Sequence, residues 1–200
     1  MTDLVPWVFT AGWASGVNAY AVVLVLGLLG RFAGVDAVPV ALQRTDILIG
    51  AAILYGLEFV VDKVPWLDST WDAVHTAIRP TLGAALGLLL AGDASSVEQA
   101  LAATAGGLSA LASHAVKAGL RAAVNTSPEP ASNIAVSVAE DVTVAGLITL
   151  AVAAPWVAAG IAATLLVAGV AIVVAVASRI RRFRERRQRR AEVASGRPTA

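Results

Sequence analysis

The fold of this chain is decided by the stretch VTVAGLITLAVAAPWVAAGIAATLLVAGVAIVVAVAS (residues 142–178), whose 37 residues include no charged side chain. About 20 helical residues cross the hydrocarbon core of a bilayer, so the stretch is too long for one span. Ala153-Ala-Pro-Trp156 lies near its middle. Proline is accepted in the first turn of a helix, and tryptophan favours the membrane interface. We therefore predict two spans, over about 134–153 and 156–178, joined by a tight turn; a single kinked helix is the alternative.

The composition of the whole chain agrees with a membrane protein. Hydrophobic residues make up 58% of it and charged residues 14%, whereas soluble domains carry about 25% charged residues. The chain has no cysteine, and its two histidines, His75 and His114, lack the spacing of metal ligands. No nucleotide-binding loop or nucleophile–base pair is recognisable either. We expect no metal, no cofactor and no enzymatic activity.

Four more apolar helices are predicted before this stretch, which gives an all-α transmembrane bundle of about six spans. They cover Leu4 to Gly30, Ile47 to Val61, 67–91 and 97–124. The helix over 97–124 is rich in Ala, Gly and Ser, a composition that suits close packing of helices in lipid. Near the start of the third helix, Ser69 and Asp72 have a spacing close to that of a capping box.

Charge is divided unevenly along the chain. From Arg179 onward there are nine Arg and two Glu, a net charge of +7, while the preceding residues carry a net charge of −6. Positive residues mark cytoplasmic ends, so the C-terminus is predicted in the cytoplasm, and with six spans the N-terminus also. We divide the chain into a transmembrane domain over 1–178 and a basic, disordered tail over 179–200. The tail is expected to contact anionic lipid rather than nucleic acid, and the chain is compatible with a monomer or a homo-oligomer.

A shift of ninety residues aligns unusual positions of the chain with each other. Arg31 falls on Arg121, and Pro65-Trp66 falls on Pro155-Trp156. The halves 1–90 and 91–178 would each hold three helices, and an odd number makes the second half inverted in the membrane. Many secondary transporters have this architecture, with a binding site where the repeats meet. Chance alignment is the alternative.

Two helices present polar faces that predict a site. His114, Lys117, Arg121 and Asn125 follow one another at steps of three and four residues, which places them on one helical face. The next helix offers Asn133, Ser137, Glu140 and Asp141. Ionisable groups at membrane depth face the bundle interior and pair with opposite charges. We expect Lys117 and Arg121 to pair with the carboxylates.

Other intramembrane polar residues receive simpler interpretations. Asn18 belongs to the predicted substrate- or ion-binding site together with the residues of the fourth and fifth helices. It follows small residues that could open the first helix locally, and taken alone its side chain is expected to make an interhelical hydrogen bond. Tyr20 is interpreted as a packing residue, and Glu58 as a side chain that reaches the interface.

Three segments identify a family resemblance. They are Ala14-Ser-Gly-Val-Asn-Ala-Tyr20, Ser113-His-Ala-Val-Lys-Ala-Gly-Leu-Arg121 and Asn125-Thr-Ser-Pro-Glu-Pro-Ala-Ser-Asn133. With Glu140-Asp141, they resemble the DUF4126 family of bacterial membrane proteins, over most of the chain up to the basic tail. The resemblance implies a multispanning protein of the bacterial inner membrane and implies no activity.

Two functions remain open at this point. The first is a small transporter or channel for an ion or small solute, with a polar site between the first, fourth and fifth helices. Glu140 or Asp141 would bind a cation or proton, and His114 could relay protons. The second is a non-transporting scaffold or assembly factor whose buried ion pairs are structural. A continuous polar cavity would favour the first and a closed charge network the second; lipid handling through a lateral groove is a third possibility.

Overall fold

The computed structural model describes residues 3–64, 66–124 and 130–194, which form six α-helices and one short 3-10 turn. The helices are α1 (Leu4–Ala33), α2 (Thr45–Val61), α3 (Leu67–Ala91), α4 (Ser96–Val124), α5 (Pro130–Ala153) and α6 (Pro155–Ala194), with the 3-10 turn at Val40–Gln43. The predicted all-α fold is confirmed for these residues. Four helices, α1, α3, α5 and α6, are long and apolar enough to cross a membrane. The count of six spans stays a prediction.

The junction between α5 and α6 is the tight turn that the sequence predicts. Helix α5 ends at Ala153, only Ala154 is non-helical, and Pro155 begins α6. Proline lacks the backbone donor that a continuing helix needs, and its fixed φ suits a first helical turn. The prediction of two helices is confirmed, and the single kinked helix is wrong.

Small residues bring α4 into backbone contact with α1 and α3. A Cβ atom added to Gly16 of α1 would overlap the carbonyl oxygen of Ala110. One added to Gly106 of α4 would overlap the carbonyl oxygen of Gly83, and Gly87 is equally close to Ala102. Helices in lipid associate through such close contacts, because lipid chains supply no hydrophobic driving force. The predicted packing role of the Ala/Gly/Ser composition of α4 is therefore confirmed.

The outer surface of α6 is apolar along most of its length. Val157, Val167 and Val174 are more than half exposed. An exposed apolar surface of this extent is an aggregation hazard in water, whereas in a bilayer it faces lipid. The surface thus agrees with the membrane-protein prediction.

The predicted disordered tail over 179–200 is helical in the part that the structure describes, and residues 195–200 lie outside that part. Helix α6 continues through it to Ala194, with no break at the end of the apolar region. Arginine, glutamate, glutamine and alanine are good helix formers, and they extend a helix that is already nucleated. Arg181 also pairs with Glu185 one turn later at 2.9 Å.

The helices divide into two triplets, α1–α3 and α4–α6, at the predicted boundary between the halves. The aligned arginines nevertheless differ in environment. Arg31 is exposed and donates to Thr45 Oγ1 at 2.7 Å, whereas Arg121 is fully buried. Pro65 of the aligned Pro-Trp pair lies outside the described residues. The inverted relation of the two triplets stays a prediction.

Candidate functional site

Helix α1 is interrupted at Asn18, whose backbone angles (φ −152°, ψ 95°) are not helical. The carbonyl groups just before an interruption lose their partners in the next turn. Two of them are instead satisfied by buried cations: Arg79 Nη1 donates to the Gly16 oxygen at 3.0 Å, and Lys117 Nζ donates to the Val17 oxygen at 2.9 Å. The local opening of the helix that the sequence indicated is confirmed.

The Asn18 side chain joins the interruption to α5. Its Oδ1 accepts a hydrogen bond from the Ala21 amide at 2.9 Å and so caps the second half of α1. Its Nδ2 donates to Asp141 Oδ1 at 3.1 Å. The expected interhelical hydrogen bond is therefore present, and its partner is one of the two carboxylates predicted for the site.

Beside the interruption lies a set of buried ionic groups that we call the charge cluster. It contains three cations and five carboxylates: Arg79, Lys117 and Arg121, with Glu58, Asp62, Asp68, Asp72 and Glu140. All of these side chains are at most 4% exposed except Glu140, at 16%. The described residues contain no group of His, Cys, Asp or Glu arranged to hold a metal ion. The cluster is thus an ion-pair network, built on α2, α3, α4 and α5.

Arg79 organises the end of the cluster nearest Gly16. Its Nη2 lies 2.6 Å from Glu58 Oε1 and 3.2 Å from Asp72 Oδ1, and its Nη1 lies 2.9 Å from His114 Nδ1. A guanidinium group can only donate, so His114 Nδ1 accepts and the ring proton sits on Nε2. That Nε2 lies 3.1 Å from the Asp72 carbonyl oxygen. Both ring nitrogens are therefore engaged, and His114 orients Arg79.

Lys117 occupies the middle of the cluster. Its Nζ lies 2.8 Å from Asp62 Oδ2 and 3.5 Å from both Glu58 Oε1 and Glu140 Oε2. One ammonium group thus connects carboxylates from α2 and α5 to the interrupted backbone of α1. Its pairing with Glu140 was predicted from the sequence.

Arg121 of α4 contacts the junction between α2 and α3 as well as α5. It donates to the Asp62 carbonyl oxygen at 2.6 Å, to Asn133 Oδ1 at 3.3 Å and to Glu140 Oε2 at 2.5 Å. Asp68 Oδ2 lies 3.4 Å away, and Asn133 itself donates to the Asp62 carbonyl. The junction between α2 and α3 is thereby held to α4 and α5. The predicted pairing of Arg121 with Glu140 is confirmed.

The remaining predicted site residues have other positions. Asp141 bonds Asn18 and lies in no ion pair among those the described residues form. Ser137 is buried and accepts a hydrogen bond from Lys63 Nζ at 3.3 Å. Asn125 lies outside the described residues. Tyr20, interpreted as a packing residue, also has a polar contact, since its hydroxyl lies 3.1 Å from His75 Nε2.

Of the five carboxylates in the cluster, only Glu140 was among the site residues predicted from the sequence. Glu58 was expected to reach the interface and Asp72 to cap a helix; both expectations are wrong, because the two side chains are buried beside Arg79. Arg79 was not predicted as a site residue, although it lies directly before Pro80 and an apolar run. A charged residue within such a segment normally marks a buried partner of opposite sign, and that signal was available.

The grooves around the cluster are apolar. One of about 250 Å³ opens between α1, α4, α5 and α6 and is lined mainly by aliphatic residues such as Val17, Leu120 and Leu165. Lys117 and Glu140 are the charged groups that reach it. Its position makes Glu140 the most accessible member of the cluster.

Comparison with known proteins gives one match. The model of a protein family described as "Domain of unknown function (DUF4126)" matches residues 6–175 of the chain. No curated protein and no solved structure matches it. The match spans all the helices that carry the charge cluster, and it agrees with the resemblance seen in the sequence.

Proposed function

We propose, from the premise that this chain belongs to the DUF4126 family, that it is a small transporter or channel for an ion or small solute rather than an enzyme. The observation that carries the proposal is the interruption of α1 at Asn18 inside the charge cluster. Non-helical backbone at membrane depth is tolerated where it is buried in protein or lines a cavity. Transporters use such broken helices to build binding sites near the membrane midplane.

The proposal includes six spans in a bacterial inner membrane, with both termini in the cytoplasm. Helix α2 has 17 residues, near the lower limit for a span. Helix α4 has 29 residues and is long enough. The ionisable residues in its second half, His114, Lys117 and Arg121, are buried in the bundle and therefore do not face lipid. The arginines at the end of α6 support the cytoplasmic position of the C-terminus. The same arginines support contact with anionic lipid.

The charges favour a cationic substrate or a proton. The cluster has five carboxylates against three cations. At the interruption of α1, the carbonyl oxygens of Gly16 and Val17 already accept from the cationic side chains of Arg79 and Lys117. The excess of carboxylates attracts positive charge, and Glu140 is the carboxylate that reaches the groove.

Flux measurements in liposomes test the proposal. Wild-type protein, reconstituted with a pH-sensitive dye inside, is challenged with gradients of protons, Na⁺ and K⁺. We expect a protein-dependent flux that E140Q and D141N reduce at least tenfold. E98Q is the matched control, because Glu98 is a carboxylate in the first turn of α4 that accepts from Ser95 Oγ and lies outside the charge cluster. Absence of every flux from wild type, or equal flux in both variants, would reject the proposal.

A non-transporting scaffold is the second candidate, and the pairing of every cation in the charge cluster favours it. Each of the three cations contacts at least two carboxylates, so the pairs are sufficient to lock the helices together. For a scaffold, the double variant K117M/E140M should fold and support growth of a strain lacking the gene as well as wild type does. Loss of that support by a stably folded double variant would count against the scaffold.

A further inference from the structure

The charge cluster holds more negative than positive groups if every carboxyl is ionised. With Glu58, Asp62, Asp68, Asp72 and Glu140 set against three cations, its net charge would be −2. An uncompensated buried charge is far more costly than a neutral group, and buried carboxyl groups commonly take up a proton instead. The balance of the cluster therefore points to bound protons.

The hydrogen bonds show which carboxyl group is least supported as an anion. Neither oxygen of Asp72 has a hydrogen-bond partner, although the residue is 3% exposed. Its contact with Arg79 is an ion pair at 3.2 Å that lacks hydrogen-bond geometry. Asp62 differs, because Lys117 and Arg121 both donate to its Oδ2. Glu58 accepts a 2.6 Å hydrogen bond from Arg79 through Oε1.

We propose that the charge cluster is a proton-binding site and that the Asp72 carboxyl group carries the proton at neutral pH. A protonated Asp72 removes one negative charge from the cluster. Neither of its oxygens has a partner among the described residues, and an unpaired neutral carboxyl group costs less to bury than an unpaired carboxylate. The Arg79 guanidinium then forms its ion pair with Glu58, to which it already makes its shortest contact. This inference does not depend on transport, since a scaffold with the same cluster would bind the same proton.

Ionisable groups surround Asp72 from each helix that contributes to the cluster. Glu58 of α2 and Asp62, directly after α2, disfavour a second negative charge nearby. Helix α3 supplies Arg79 and His75, and α4 supplies Lys117, Arg121 and His114. Glu140 of α5 and Tyr20 of α1 are one contact further away, on Lys117 and His75. The three cations of this set are shared among better-placed carboxylates, which leaves Asp72 as the proton acceptor.

Infrared spectroscopy of the purified protein in lipid nanodiscs tests the assignment. The carbonyl stretch of a protonated carboxyl group is separate from that of a carboxylate, and it shifts on exchange into D₂O. We expect wild type at pH 7 to show this band, D72N to lack it and E98Q to retain it. Absence of the band from wild type, or its persistence in D72N, would overturn the proposal.

Two additional measurements decide the remaining outcomes. D72N should elute and fluoresce like wild type, because an amide has nearly the shape of a protonated carboxyl group. If D72N does not fold, E58Q, D62N, D68N and E140Q provide the test by elimination among the carboxyl groups of the cluster. Retention of the band in all four supports Asp72, and its loss in any of them places the proton elsewhere and overturns the assignment.

Discussion

Replacement of Lys117 by methionine removes the cation that connects the cluster to the interrupted helix. The Val17 oxygen loses its 2.9 Å hydrogen bond, and Asp62 loses a partner at 2.8 Å. Methionine retains most of the apolar stem, so the change removes charge with little change of volume. The cluster also becomes more negative by one unit while remaining buried.

The burial of the groups that Lys117 contacts sets the size of the expected loss in free energy of unfolding. Removing one partner of a buried ion pair costs about 3–5 kcal/mol, because the other charge stays buried without compensation. This figure corresponds to a change of roughly 10²- to 4 × 10³-fold in the unfolding equilibrium. Lys63, the other lysine of the chain, is the matched control. Its ammonium lies 3.0 Å from the centre of the Phe59 ring near the surface, a contact worth about 0.5–1 kcal/mol.

Unfolding in mixed micelles, followed by tryptophan fluorescence, measures both variants against wild type. K117M should unfold at markedly lower denaturant than K63M. Adding D62N should recover part of the loss, since the double variant restores the charge balance, with a coupling of about 1–3 kcal/mol. Equal stability of K117M and K63M would show that the ammonium is not held by the contacts described, and the reasoning from ion pairs would fail.

Three more predictions concern the packing, the interruption and the basic end of α6. G106A should destabilise by about 1–3 kcal/mol, because its Cβ would meet the backbone of α3, whereas G146A, in open space, should be neutral or slightly stabilising in the same assay. N18A should lower the free energy of unfolding by about 1–2 kcal/mol through loss of the cap on the second half of α1. N18D should lower it further at neutral pH because it brings a second carboxylate to Asp141. Equal stability of N18A and wild type in thermal unfolding would contradict the capping role. Replacing the arginines of 179–190 by glutamine should abolish the preference of nanodisc-reconstituted protein for phosphatidylglycerol over phosphatidylcholine, at a loss of about 1 kcal/mol per arginine near the surface, and an unchanged lipid preference would refute it.

Much of the fold could be predicted because it depends on local patterns. The apolar runs and the Pro155-Trp156 pair predicted helix boundaries within a few residues of those observed, except for the C-terminal end of α6. The basic face of α4 was predictable in the same way, since a spacing of three or four residues fixes a helical face. Apart from Glu140, the acidic partners were not, because Asp62 and Asp72 reach Lys117 and Arg79 through the packing of α2 on α1 and of α3 on α4. That packing depends on contacts at Gly83 and Gly106, which the sequence does not assign to a partner.

The continuation of α6 beyond Arg179 was missed for a different reason. High charge and low hydrophobicity normally predict disorder, because such a segment cannot bury enough apolar surface. Here the apolar part of α6 supplies the helical nucleus, so each added residue needs only to propagate it. The apolar helix that precedes Arg179 thus determines that the basic residues after it are helical.

The interruption at Asn18 turns α1 into two half-helices that meet end to end within the bundle. The aligned peptide dipoles leave roughly half a negative elementary charge at the end of the first half and half a positive one at the start of the second. Arg79 and Lys117 lie at the negative end, and Asp141, through Asn18, lies at the positive end. A continuous α1 would cancel both partial charges and leave these three ions without the field that compensates them. The bend in the backbone and the arrangement of ions around it therefore stabilise each other, and a change in one requires a change in the other.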